Sequence, residues 1–103
     1  MVAKQLRSLM ICGISVYTVK LKTKKAQEHF DFLKKNQPAA FKKLRNLYEE
    51  LKLHPYYGTG KPEPLKHELS GLWSRRINHE HRVVYEVDES QNIVFILSCK
   101  DHY

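Results

Sequence analysis

The sequence predicts an α+β domain: two N-terminal helices packed on one face of a small, twisted antiparallel β-sheet. Three observations carry this expectation. Residues 23–51 hold two apolar stripes at helical spacing, parted near Pro38. Residues 72–99 hold three apolar runs with period-two alternation, joined by short polar links. Between them lies PYYGTGKPEP (55–64), whose three prolines and two glycines point to an ordered but irregular loop.

The elements follow in order. Tyr17 to Leu21 alternates apolar and polar residues and reads as a first strand. Thr23 suits a helix N-cap, because its hydroxyl can accept an otherwise orphaned N–H. Ala26, Phe30 and Leu33 then recur at helical spacing, with Lys24, Lys25, Lys34 and Lys35 outside, to an end near Asn36. Pro38 fits the first turn of a second helix. Its stripe is Ala40, Phe41, Leu44, Leu47, Tyr48 and Leu51, and His54-Pro55 stops it. Strands are expected at Leu72–Ile77, Arg82–Val87 and Ile93–Cys99, linked as a meander by NHEH and DESQN. Alternation puts Trp73, Arg75 and Ile77 on one face, and Leu72, Ser74 and Arg76 on the other. The face away from the helices would then carry Arg76, Arg82 and the end of the chain as a basic concavity.

A chain of 103 residues with 42% hydrophobic residues fits one domain with a modest core. Residues 17–103 read as that domain, and residues 1–16 as an N-terminal extension of unknown role. The start has Lys4 and Arg7 before a short apolar stretch, but no small-x-small cleavage site follows. Two cysteines, Cys12 and Cys99, form no disulfide framework and fit a reducing cytoplasm. No run approaches the roughly 18–20 apolar residues of a membrane span. The formal charge of +7 points to an anionic partner: nucleic acid, an anionic membrane or an acidic protein.

Several chemistries lack their parts. GTGKPEP lacks the Ser or Thr and the following helix of a phosphate-binding loop. Ser70 and Ser74 show no nucleophile elbow. His79 and His81 lie near one hairpin, with His102 as a third imidazole, but no Cys or carboxylate spacing completes a zinc set. Exposed hairpin histidines are the simpler reading, so no metal and no cofactor is expected. RNA cleavage through the neighbouring 2′-OH needs a base, cations for the phosphorane-like transition state, and an acid for the leaving 5′-oxygen. Glu63, Lys66, Arg76, Arg82 and His102 could fill these roles if they meet in space. A rigid turn with an incidental Glu63 remains the alternative for the loop.

Four blocks make a more specific pattern: KPEPLKH from Lys61, LSGLWSRRI from Leu69, EHRVVYEV from Glu80, and CKDHY from Cys99. Their order and spacing resemble the YoeB (Txe) toxins of the RelE-like superfamily of bacterial toxin–antitoxin systems. The likeness follows the element order over residues 17–103 and is dense from Lys61 onward. It implies an mRNA endonuclease acting in the A site of the small ribosomal subunit. It also implies a YefM/Phd-type antitoxin, repression of operator DNA by the toxin–antitoxin complex, and frequent homodimers. By the same resemblance Glu63 is the catalytic carboxylate. Arg82 and Arg76 neutralise the scissile phosphate, while Lys61, Lys66 and Lys100 hold RNA. His102 and Tyr103 complete the catalytic set, with the acid and phosphate-clamp roles not divided between His102 and Arg82. Two positions depart from the pattern. Lys100 stands where Arg is frequent and loses its bidentate fork, and Asp101 adds a negative charge. The rival expectation is a non-catalytic homologue that blocks translation or serves as an operon co-repressor.

Overall fold

The computed structural model describes residues 16–100. His102 and Tyr103, and nearly all of the expected N-terminal extension, lie outside the described residues. The elements are β1 (Thr18–Leu21), α1 (Lys24–Asn36), α2 (Pro38–Leu51), β2 (Glu63–Pro64), a short 3₁₀ turn (His67–Leu69), β3 (Trp73–Arg76), β4 (Arg82–Asp88) and β5 (Ile93–Ser98). The α+β class and the two-helix, one-sheet arrangement are those expected.

Local chemistry sets the helix ends. Thr23 Oγ1 accepts the Ala26 N–H at 2.9 Å, so the predicted N-cap forms. Gln37 ends α1 and begins α2, and Pro38 takes the first turn, where a missing N–H costs nothing. Ala26 and Leu33 of α1, and Ala40, Leu44, Leu47 and Leu51 of α2, point into one core. They meet Val19, Ile77, Val83, Tyr85, Val94, Ile96 and Cys99 from the sheet side. Phe30 and Phe41 close the seam between the helices edge-on, with ring centroids 4.9 Å apart. No helix among the described residues is long and apolar enough to cross a membrane.

The sheet order is β1-β5-β4-β3-β2. The meander from β2 to β5 is antiparallel, as expected. β1 differs: it pairs parallel to β5, Thr18 with Ile93 through Leu21 with Ile96, and makes the sheet mixed. The helices supply the long crossover that a parallel neighbour requires. The proline-rich loop also differs from expectation in part. Glu63 and Pro64 pair with Ser74 and Trp73 as a two-residue edge strand. An edge position tolerates proline because one side of the strand needs no donor.

β5 carries a bulge. Tyr85 pairs with Ile96 but Val84 pairs with Ser98, which leaves Leu97 as the extra residue. The buried positions accordingly run Val94, Ile96, Cys99 rather than at strict period two. Without the bulge, Cys99 would turn to the open face and Ser98 to the core. With it, Cys99 is fully buried and its thiol pKa is pushed up to about 12 by burial. Ser98, opposite Val84, is thereby delivered to the face away from the helices.

The loop before β2 is held by one buried guanidinium. Arg75 is 0% exposed and faces the helix side of the sheet, beside Trp73 and Ile77. Its Nη1 donates to Glu50 Oε1 at 2.6 Å and its Nη2 to the Tyr57 carbonyl at 2.8 Å and to the His54 carbonyl. Tyr85 Oη donates to the Pro55 carbonyl at 2.6 Å. Gly60, at φ +86°, sits where a Cβ would lie 2.7 Å from the Arg76 carbonyl oxygen, and its own carbonyl accepts the Arg76 N–H at 2.6 Å. These contacts seat the loop on β3 and bring Glu63 to the sheet edge.

Glu50 makes this seating pH-dependent. Burial acts to raise its pKa, but the Thr59 N–H and Arg75 outweigh it and hold the carboxyl below its usual 4.5. A lowered folded-state pKa adds stability above the unfolded value, which is lost as pH falls through the folded one. Glu50→Gln should therefore melt earlier than the parent protein at pH 7, and the gap should narrow at pH 3. Paired thermal melts at the two pH values check this.

Candidate active site

The open face of the sheet gathers the polar side chains that the elements present in register. Glu63 on β2 lies opposite Ser74 on β3, Ser74 opposite Val84 on β4, and Arg76 opposite Arg82. Glu63, Ser74, Arg76 and Arg82 thus share one face. Arg82 Nη1 lies 3.3 Å from Glu63 Oε1 and 3.4 Å from Ser74 Oγ. The Arg82 side chain is 14% exposed and that of Glu63 52%. The guanidinium is braced against the sheet, whereas the carboxylate reaches into solvent. Arg76 is exposed beside it. Like charges directly opposite one another oppose pairing. Arg76 and Arg82 stand in such a position, with one carboxylate between β2 and β4 to offset them. A phosphate placed there would meet two guanidinium forks, the geometry that binds phosphate bidentately.

Two shallow grooves extend the site. One, of about 290 Å³, is lined by Glu63, Pro64, Leu65, Lys66, His67 and Leu69. The other, of about 300 Å³, is lined by Lys25, Leu69, Leu72, Val84, Leu97, Ser98 and Lys100. Leu69 stands in the wall of both. Val84 and Leu65 are buried but belong to this face and not to the main core. They give the basic surface an apolar floor. Lys61 is exposed two residues before Glu63, in a left-handed backbone conformation at φ +52°. Lys100 Nζ lies 4.8 Å from the centroid of the Phe32 ring, a cation–π contact that holds it above α1.

Of the residues expected in the site, Glu63, Arg76 and Arg82 come together. Lys61 and Lys66 flank Glu63, whereas Lys100 shares a separate groove with Val84 and Ser98 and has its ammonium on Phe32 of α1. His102 and Tyr103 lie outside the described residues. Sequence reasoning passed over two contributors. Ser74, considered only as a nucleophile, is buried and orients Arg82. Arg75 carries the loop that holds Glu63; its signal was the RR pair itself, since neighbours in a strand point to opposite faces. The hairpin histidines are not alike. His79 is exposed as expected, whereas His81 is buried, with Nε2 3.0 Å from Gln37 Oε1 between the helices. Among the described residues no three His, Cys, Asp or Glu side chains gather as a metal site.

The fold and the site together define a small α+β protein with a carboxylate and two guanidinium groups gathered on the open face of its sheet. The chain belongs to the YoeB-like toxins of bacterial type II toxin–antitoxin systems, whose family model matches residues 22–103. It is 50% identical over 62 residues to the toxin YoeB of Escherichia coli K12, a match that spans 60% of this chain and 71% of that protein. The YoeB/ParE toxin of Agrobacterium tumefaciens superposes with a TM-score of 0.79 at 35% identity, covering 84% of this chain and 100% of that one. YoeB of Staphylococcus aureus, solved as a dimer and in complex with YefM, superposes with a TM-score of 0.74 at 40% identity. That match covers 84% of this chain and 98% of the other.

Proposed function

We propose that this toxin is a ribosome-dependent mRNA endoribonuclease that cuts mRNA in the A site of the small subunit and so inhibits translation. The observation that carries the reading is the placement of the Glu63 carboxylate against the Arg82 guanidinium, with Arg76 alongside, on an open basic face. Family membership supports the class of protein, and this cluster supports the chemistry. The reaction uses side chains alone. Glu63 takes the proton of the 2′-OH as the 2′-oxygen forms a bond to phosphorus. Arg82 and Arg76 stabilise the charge that collects on the phosphorane-like transition state. The bond from phosphorus to the 5′-oxygen breaks, and His102 donates the proton that the leaving oxygen needs. The products are a 2′,3′-cyclic phosphate and a 5′-hydroxyl. Tyr103 stacks on or orients a base beside His102, and Lys61, Lys66 and Lys100 hold the flanking backbone.

The expected inhibitor is a YefM/Phd-type antitoxin, by analogy with the YoeB–YefM complex of Staphylococcus aureus. An acidic antitoxin segment over the basic face would both neutralise and cover the site. Homodimerisation, as in the Staphylococcus aureus YoeB dimer, and binding of operator DNA through the antitoxin complex belong to the same reading, as does action in the cytoplasm.

Purified protein incubated with programmed ribosomes tests the activity. Cut mRNA is the expected result, and stalled translation on intact mRNA would replace the nuclease with a translation blocker. The residue roles are separable by kinetics. Arg82→Ala should lower the single-turnover rate at saturating protein by about 10²–10³-fold, the worth of a transition-state charge donor. Lys61→Ala and Lys66→Ala should instead weaken ribosome binding and flatten its salt dependence. Full rate for Arg82→Ala at saturation would reduce Arg82 to a docking contact.

A further inference from the structure

Between β2 and β3 the chain leaves the sheet for a short, closed excursion. The Leu65 N–H bonds the Leu72 carbonyl at 2.8 Å and ties its two ends together. Inside it the Leu69 N–H reaches the Lys66 carbonyl at 3.1 Å, and the Ser70 N–H reaches the His67 carbonyl at 3.0 Å. Leu65 is buried, whereas Lys66, His67 and Leu69 are exposed. The turn depends on His67, whose φ of +59° lies in the left-handed region. Glycine enters that region without steric cost, whereas a Cβ crowds the following carbonyl oxygen. The same loop uses glycine at another left-handed position, Gly71 at φ +97°, where an added Cβ would meet nothing within 4 Å. An imidazole thus stands where glycine would suit the backbone better. Among the described residues the His67 ring has no hydrogen-bond, ion-pair or ring partner, so the fold does not account for it. A strained residue of this kind points to a role in function.

His67 lines the groove of about 290 Å³ together with Glu63, Pro64, Leu65, Lys66 and Leu69. Glu63 also lies 3.3 Å from Arg82 Nη1, so its carboxylate joins this groove to the guanidinium groups. In the proposed cleavage the phosphate sits on Arg82 and Arg76. The ribose whose 2′-OH Glu63 deprotonates belongs to the nucleotide on the 5′ side of that phosphate. A nucleotide that reaches from Arg82 across Glu63 brings its base over the groove. The walls suit a base: Pro64, Leu65 and Leu69 offer apolar contact to a flat face, and an imidazole is a stacking partner for an unstacked base. We propose that the groove is the seat of the nucleobase on the 5′ side of the cut, and that the His67 ring stacks on it. The proposal rests on the nuclease reading for the placement of ribose and phosphate. Stacking grips a π-face that every base has, and the held base turns its own 2′-OH toward Glu63.

Removing the ring and removing the base test one contact from its two sides. Wild type, His67→Gly and His67→Phe are compared by melting temperature and by single-turnover cleavage on programmed ribosomes at saturating protein. Two messages are used: an intact all-ribose mRNA, and one whose nucleotide on the 5′ side of the cut keeps its ribose but lacks its base. Glycine retains the left-handed turn without the ring, and phenylalanine retains a stacking face without the imidazole nitrogens. Wild type is expected to cut the abasic message about 10-fold more slowly, the scale of one stacked base. His67→Gly should cut the intact message about 10-fold more slowly, with a melting temperature close to wild type. On the abasic message it should match wild type, because the contact is already gone. Folded His67→Phe should recover most of the rate on the intact message. Losses that multiply in His67→Gly on the abasic message, equal wild-type rates on the two messages, or an unslowed His67→Gly would each overturn the proposal. So would a loss that follows a lowered melting temperature, or a folded His67→Phe no faster than His67→Gly. An intact message left whole by the wild-type protein would fail the nuclease reading instead. Photocrosslinking on the ribosome, from a 4-thiouridine at each A-site position in turn, then decides the seat. A crosslink to residues 64–69 that is lost in His67→Gly upholds it, and no crosslink there rejects it.

Discussion

Glu63→Gln should lower cleavage of mRNA on programmed ribosomes by about 10²–10⁴-fold, the usual worth of a general base. The amide keeps the size and polarity of the carboxylate but cannot take the 2′-OH proton. The fold should be nearly unaffected. Glu63 is half exposed, its main chain remains in the β2–β3 pair, and its contact with Arg82 is a partly solvated one that contributes little to stability. The loss should therefore appear in the single-turnover rate at saturating protein, with an unchanged melting curve. A folded Glu63→Gln protein that cleaves at near-normal rate would remove Glu63 from the role of base.

Arg75→Met should have the largest effect on stability, and it acts through the loop rather than the chemistry. Methionine fills much of the buried volume but donates nothing. It leaves the Glu50 carboxylate without its cation and the His54 and Tyr57 carbonyls without their donor. Breaking a fully buried charge pair costs about 3–5 kcal/mol, and with the Glu50 side chain 22% exposed the cost here should fall toward the lower end. For a domain of this size each kcal/mol is roughly 4–8 °C in melting temperature. Arg76→Met, one residue on and exposed, should leave the melting temperature almost unchanged. Thermal melts of the two variants side by side test the assignment. Equal melting temperatures would mean that the loop is seated by its prolines and Gly60 rather than by the guanidinium.

The contrast between these neighbouring arginines also shows what was legible in the sequence. Local signals were readable because they are local. Thr23 and Pro38 mark helix starts by satisfying or lacking one N–H, and apolar spacing separates helices from strands. The opposite facing of Arg75 and Arg76 follows from the pleat. Partners distant in sequence were not readable. Nothing near Tyr17–Leu21 states that it will lie parallel to Ile93–Ser98 rather than continue the antiparallel meander, because strand order is decided by how the helices cover the sheet. Glu50 looks like an ordinary surface residue of α2 until Arg75 reaches it. His81 looks like a hairpin histidine until Gln37 meets it.

The site was legible to a similar depth. Glu63, Arg76 and Arg82 were singled out by residue type and by resemblance, and the register of β2, β3 and β4 unites them. Ser74 was missed as a brace because a serine carries no mark of what it will support. The Leu97 bulge was missed because an apolar run of Ile93–Cys99 has no residue that breaks the alternation; only the burial of Cys99 together with Ile96 reveals it. The bulge decides that Ser98 faces away from the helices and Cys99 into the core.

In the proposed reaction Glu63 activates the ribose 2′-OH of the mRNA itself. It is tested most directly by presenting ribosomes with an mRNA that carries a single 2′-deoxynucleotide on the 5′ side of the scissile phosphate, and comparing it with the all-ribose message. The all-ribose message should be cut to a 2′,3′-cyclic phosphate and a 5′-hydroxyl, and the deoxy message should stay whole at that bond. Cleavage of the deoxy message at the same bond, leaving a 5′-phosphate, would contradict this route, because water and not the 2′-OH would then be the nucleophile.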